Sequence, residues 1–309
     1  MRCWIPGVAM VLYLMTGAHS HAHEEPSHQI KTLSAAIHAK PDDSDLRLRR
    51  ARLYREAGQW KRALRDVTKA HAIAGKVPSP AIELEFGLVW LAGANPERAI
   101  HWLSRAIRRI PNVPEAWQGR GDAWAKQGKY DKAIADYTQA LSHQPTPQRF
   151  IQRAQWQEKV GQIQQAIAGY NEGLRRLNFP ITLRLSVIRL YIQTKNTNAA
   201  LAHIEALQRK HPHAAEWPLR RGDIHCHAGQ VEASRNAYNH GLSLALKSLQ
   251  RRPSALAQTH HAWALVGLGN RLKAEGLLRS IRSQHPRLTM AQQLQERLSE
   301  KSIGCGVWR

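Results

Sequence analysis

The chain has 309 residues, with 45 Lys and Arg against 23 Asp and Glu and a formal charge of +22, a length that suits one extended domain or two compact ones. Hydrophobic residues at 43% and charged residues at 22% exclude a mostly disordered chain, and a mean hydropathy of −0.49, with no apolar run near ~18 residues, excludes a multi-spanning membrane protein. Three cysteines are too few for a disulfide-built scaffold and too scattered for a zinc finger.

In chain order, Met1 and Arg2 place one positive charge ahead of the apolar run Val8 to Met15, and small and polar residues follow it. This predicts a signal peptide over 1–22 cut after Ala22, with Ala18 and Ser20 as alternative positions. The protein is then exported, and periplasmic if its source is a Gram-negative bacterium. Losing Arg2 leaves 44 basic and 23 acidic residues, a charge of +21, so the basic excess belongs to the folded part. A short segment, 23–27, leads into His28 to Ala39, whose pattern before Pro41 is that of a helix.

The rest of the chain repeats itself. Residues 114–147 read PEAWQGRGDAWAKQGKYDKAIADYTQALSHQPTP, and units in the same frame start near 44, 80, 147, 181, 215 and 255. The eighth position carries Ala51, Gly87, Gly121, Ala154, Ile188, Gly222 and Ala262, small in all but one. The twentieth is always small: Ala63, Ala99, Ala133, Ala166, Ala200, Ser234 and Ala274. The twenty-fourth is always large: Val67, Leu103, Tyr137, Tyr170, Ile204, Tyr238 and Leu278. Prolines recur at unit ends (Pro111, Pro145, Pro212, Pro286), where a helix cannot continue.

On these residues the chain resembles the tetratricopeptide repeat (TPR) family. The resemblance implies an all-α, right-handed α-solenoid of about seven helix-turn-helix repeats, because each pair of helices buries its apolar face only by stacking on its neighbours. The predicted organisation is a half-repeat at 28–43, repeats near 44–77, 80–113, 114–146, 147–180, 181–214, 215–254 and 255–286, a capping helix at 287–301 and a tail at 302–309. Repeat-like sequence leaves no room for a separate catalytic domain. Gln157 stands where an aromatic is usual and Ile188 at a small position, and the extra residues Leu249 to Ser254 are expected to extend the preceding helix.

The sequence holds no Walker-type loop, G-x-S-x-G, H-E-x-x-H or C-x-x-C motif, so an enzyme is not expected. The resemblance implies binding of an extended or helical segment of a partner protein in a concave groove lined by the first helix of each repeat. Asp122, Gln155, Arg189, Asp223 and Trp263, at the ninth positions, are the candidate groove residues. No Asn occupies the ninth positions, which disfavours the carboxylate clamp of chaperone-binding members.

His225, Cys226 and His227 are consecutive on a helix and point apart, and His260 and His261 lie on the next first helix, so no metal site or cofactor is expected. Cys226 and Cys305 are the cysteines expected after processing, and a bridge between them is possible but tight. Trp60, Trp90, Trp117 and Trp124 fall at positions where the fold wants a large ring, so most tryptophan is assigned to the core and nucleic-acid binding is disfavoured. The spread basic charge favours an acidic partner. The rival reading is a basic adaptor for an anionic polymer or lipid surface, with metal handling as a third.

Overall fold

The computed structural model describes residues 26–299. The predicted leader with its cleavage positions Ala18, Ser20 and Ala22, and the tail with Cys305, lie outside the described residues. Those residues form sixteen helices and no strand. After α1 (Pro26–Ala39) the helices follow as pairs, an A helix and then a B helix: α2 (Ser44–Glu56) with α3 (Trp60–Ala74), α4 (Pro80–Ala92) with α5 (Pro96–Arg109), α6 (Pro114–Lys126) with α7 (Tyr130–His143) and α8 (Pro147–Lys159) with α9 (Ile163–Arg176). The series continues with α10 (Ile181–Gln193) and α11 (Thr197–Lys210), α12 (Glu216–His227) and α13 (Val231–Arg251), α14 (Ala255–Gly267) and α15 (Arg271–Gln284), and then α16 (Thr289–Ser299). The fold is all-α, built of helix-turn-helix repeats. The helices group into two compact units, one through Leu183 and one from Arg184, the division falling within α10.

Local chemistry sets the helix ends. Proline occupies the first turn of α4, α5, α6 and α8, where its missing N–H would be unsatisfied anyway. Side-chain oxygens of Asp43, Asn95, Thr146, Asn196 and Ser254 accept from backbone N–H groups at the starts of α2, α5, α8, α11 and α14, satisfying donors the helix leaves unpaired. Each A helix ends in a residue of positive φ at the fifteenth repeat position. It is Gly58, Gly128, Gly161, Gly229 and Gly269 in five repeats, and Ala94 (φ 55) and Lys195 (φ 58) in the other two. That left-handed residue reverses the chain into the B helix, with bonds such as Asn95 N–H to Trp90 O (2.9 Å) closing the turn.

The small eighth position has a steric reason. A Cβ on Gly87 would lie 2.3 Å from Leu103 of the paired B helix, and one on Gly222 would lie 2.7 Å from the ring of Tyr238, far inside van der Waals contact. The large residue at position twenty-four thus fills the space that the small one leaves. In the N-terminal unit Leu48, Ala51, Val67, Ile82, Phe86 and Val89 form one core cluster, and Ala99, Leu103 and Ala123 continue it as another. In the C-terminal unit Leu219, Tyr238, Ala262, Trp263 and Leu278 join Met290, Ala291, Leu294 and Leu298 of α16, so α16 covers the apolar face that the last repeat would otherwise expose.

Polar pairs repeat as well. Arg50 and Arg120, at the seventh position, each hold the buried carboxylate at the twenty-third, Asp66 (2.7 Å) and Asp136 (2.8 Å). Each also reaches back to a serine of the preceding B helix, Ser34 or Ser104. In the repeat between them the same two positions hold Phe86 and Trp102, stacked with centroids 4.5 Å apart. Helix α13 runs 21 residues against 14 for α11 and α15. Its last two turns and the turn at Arg252 to Ser254 are the expected extension before the last repeat.

Candidate interaction face

Successive A helices touch one another: α2 with α4 and α4 with α6 in the N-terminal unit, α12 with α14 and α14 with α16 in the C-terminal unit. Among the described residues no comparable contact joins two B helices of the same unit. Within each unit the A helices are therefore the closer-packed side, and their outward residues form the inner face.

In the N-terminal unit the centre of this face is apolar. Leu84, Leu88 and Leu91 sit at the fifth, ninth and twelfth positions of α4, spaced by four and three residues so that they share one face. All three are only partly buried and pack against the Ala99, Leu103 and Ala123 cluster. Leu88 lies over Gly119 of α6, where an added Cβ would meet it at 2.8 Å. On one side α2 contributes Arg52 and Arg55. Arg55 donates to the buried Glu85 carboxylate at 2.6 Å, and Arg52 lies 3.7 Å from its other oxygen with half its side chain exposed. On the other side are Gln118, Asp122 and the exposed Lys126 of α6, whose Nζ donates to the Leu91 carbonyl at 3.1 Å. The strip is thus apolar in the middle and cationic at the α2 end.

The polar residues expected in the groove are more occupied than their positions suggest. Asp122 accepts from the Tyr137 hydroxyl at 2.5 Å. Burial pushes its carboxyl above the ordinary value of 3.8, against the opposing pull of the Tyr137 bond and Lys126; burial and the neighbouring Asp122 likewise push the Tyr137 phenol up. Asp223 accepts from Tyr238 at 2.5 Å, from Trp263 Nε1 at 3.4 Å and from Arg297 of α16 at 3.1 Å. Trp263 is 6% exposed and carries the Arg220 guanidinium 5.6 Å from its ring centroid. Gln155 on α8 and Arg189 on α10 are partly buried at their ninth positions. Of the five candidates, the structure joins Asp223 and Trp263.

The acids at position nine have a signal in the sequence. Tyr137 and Tyr238 stand at position twenty-four of the two repeats with Asp at position nine. In the third tyrosine-bearing repeat, Tyr170 donates to Glu158 at position twelve (3.3 Å). Repeats with an aliphatic residue at twenty-four carry no acid at nine. The leucines of α4 were visible at the same groove positions, but a search for polar ligands passes over them.

The tryptophan expectation needs correcting. Trp60, Trp90, Trp117 and Trp124 are only partly buried, and cations cover their exposed faces: Lys61 on Trp60, Arg98 on Trp90 (4.4 Å), Arg120 on Trp117 (5.0 Å), and Lys129 and Lys132 on Trp124. The rings sit at helix ends, where one edge packs and the other meets solvent, and the basic side chains shield that edge. Cys226 is partly buried on α12 and disulfide-bonded; Cys305 lies outside the described residues. Among the described residues no three His, Cys, Asp or Glu side chains cluster as a metal site would need, and no helix is long and apolar enough to cross a membrane.

Comparison with known proteins finds the same kind of repeat. Family models described as tetratricopeptide repeat match residues 114–147 and 188–242. No curated protein matches the chain. Among solved structures, it is similar to the C-terminal part of a TPR repeat-containing protein from Cytophaga hutchinsonii, at 14% identity, covering 80% of this chain and 98% of that one with a TM-score of 0.57. A tetratricopeptide repeat protein from Parabacteroides merdae gives 13% identity, 83% and 99% coverage and a TM-score of 0.48. A chain of the APC/C hetero-tetramer Cut9-Hcn1 gives 18% identity and a TM-score of 0.42 over 88% of this chain, which spans about half, 52%, of that one.

Proposed function

We propose, from the premise that the chain belongs to the tetratricopeptide repeat family, that it is a non-catalytic scaffold or adaptor whose A-helix face binds a segment of another protein. The observation that carries this is the Leu84, Leu88 and Leu91 strip of α4, partly exposed between the cations of α2 and Lys126 of α6. An amphipathic helix or extended segment with apolar residues at matching intervals would bury the strip, and acidic residues at one end would meet Arg52. Asp223 and Trp263 hold their own repeats together in this reading. The absence of the common catalytic motifs from the sequence supports a protein that acts by binding. The leader pattern over 1–22 supports export, and with it a partner in the same compartment.

The test is site-specific cross-linking. A photoreactive residue at Leu91 should capture one discrete protein in cells, and Leu91→Glu should weaken capture of that protein by tagged chain at least about 10-fold, as burying an unpaired charge requires. Retention through ~0.3 M salt, where the Debye length is well under 10 Å, is expected. Capture that collapses with salt and ignores Leu91→Glu would replace this reading with that of an adaptor for an anionic polymer or surface.

A further inference from the structure

Most arginines of the N-terminal unit's interior are spent on the fold. Arg50, Arg55, Arg105, Arg120, Arg149, Arg153 and Arg176 each hold a carboxylate. The last repeats are different. From residue 233 to 295 the sequence has a single acid, Glu275, against nine Lys and Arg, and Glu275 is held by Arg271 at 2.8 Å.

The fold gathers much of that surplus at one rim. The extension of α13 carries Lys247, Arg251 and Arg252, all exposed, at the end where α14 begins. Because α15 runs back antiparallel to α14, its last turns bring the exposed Arg279 and Arg282 to the same end, and Arg287 follows them. None of these six side chains makes a hydrogen bond or ion pair among the described residues, in contrast to Arg220, Arg271 and Arg297 of the same unit. Cations at a helix C-terminus have a bland explanation in the helix dipole, but that explanation does not extend to the apolar residues among them. Leu246 on the α13 extension and Leu256 at the start of α14 are 39% and 40% exposed. Both leucines stand among these exposed cations.

We infer that this rim, formed by the end of α13, the start of α14 and the end of α15, docks on an anionic lipid surface, with Leu246 and Leu256 entering the headgroup layer and the six cations meeting lipid phosphates. Exposed cations with apolar side chains among them suit an anionic fluid interface, whose phosphates take the charges and whose headgroup layer takes the apolar side chains. The inference is independent of the A-helix face, since the rim lies at the helix ends.

Vesicle sedimentation of the full chain tests it. The quantity read is the gain in partition on passing from pure phosphatidylcholine vesicles to vesicles containing phosphatidylglycerol, which cancels any contribution of the shared apolar N-terminus. The triple variant Lys247→Glu, Arg251→Glu, Arg252→Glu should lose about 100-fold of that gain. A triple variant with the same net charge on α3, Lys61→Glu, Arg62→Glu, Arg65→Glu, should lose far less. Leu246→Ser with Leu256→Ser should weaken binding several-fold without altering its salt dependence, and circular dichroism should find every variant helical. Three results would each overturn the proposal: no gain with anionic lipid, equal losses for the two triples, or serine variants that bind as well as wild type. Displacement by soluble polyphosphate together with that last result would identify an anionic polymer as the occupant instead.

Discussion

Arg297 of α16 donates to the carboxylate of Asp223 on α12 at 3.1 Å, across 74 residues of sequence and past Trp263 of the intervening A helix. The pair fastens the capping helix to the repeat two A helices before it. Both partners are largely withdrawn from water, at 15% and 19% side-chain exposure, so removing one leaves the other poorly compensated. Arg297→Met should destabilise the C-terminal unit by ~2–4 kcal/mol and speed hydrogen exchange in α14 and α16. Adding Asp223→Asn should recover part of the loss, because the neutral amide keeps an acceptor for Tyr238. Unchanged exchange in α16 would mean that its apolar contacts alone hold the cap.

Asp122 is a carboxylate that folding disfavours. Its carboxyl is raised in the folded state by burial, more than the Tyr137 bond and Lys126 lower it, so the native protein binds a proton there more tightly than the unfolded chain. The corresponding stability is therefore present below the ordinary value of 3.8 and lost as pH rises through the folded value. Asp122→Asn, which keeps an acceptor for Tyr137, should be neutral or stabilising at pH 7, and its advantage should vanish on acidification below pH ~4. Denaturant titration at the two pH values measures this, and a destabilised variant at pH 7 would contradict it.

Histidines in the C-terminal unit have the opposite sign. His203, His240, His260 and His261 are all lowered from 6.5, chiefly by burial, with Arg184 adding to the effect at His203, Arg221 and Lys247 at His240, and Arg220 against Glu216 at His260. A lowered folded value means stability that is complete above 6.5 and lost as pH falls through the folded value, because the unfolded chain takes up protons first. The C-terminal unit should therefore weaken between pH 7 and about 5. The buried Nε2 of His260 has no hydrogen-bond partner among the described residues, so His260→Leu should flatten this dependence with little penalty at pH 7. Melting curves across the range decide it.

Ala94 and Lys195 hold the left-handed turn position that glycine fills in the other five repeats, at φ 55 and 58. A Cβ is strained there, and glycine is not. Ala94→Gly and Lys195→Gly should each stabilise the chain by about 0.5–1 kcal/mol, whereas Gly128→Ala should destabilise it by a similar amount. Thermal or denaturant unfolding reads all three, and a loss of stability in both glycine variants would reject the strain argument.

The sequence by itself determined the repeat frame. Small residues at eight and twenty, a large one at twenty-four and proline at the unit ends are local spacings, and spacing along a helix fixes which residues share a face before any partner is known. The Gly58, Gly128, Gly161, Gly229 and Gly269 turns are local for the same reason. Only the tertiary structure decided what each side chain does on its face. Asp122 and Asp223 look like groove ligands until Tyr137 and Tyr238 close on them from the paired helix. Trp263 looks like a docking platform until Arg220 and Asp223 enclose it. The grip of Arg297 on Asp223, and the meeting of α13, α14 and α15 at one basic rim, depend on side-chain reach across helices brought together by packing. Periodicity within a helix carries no record of that reach.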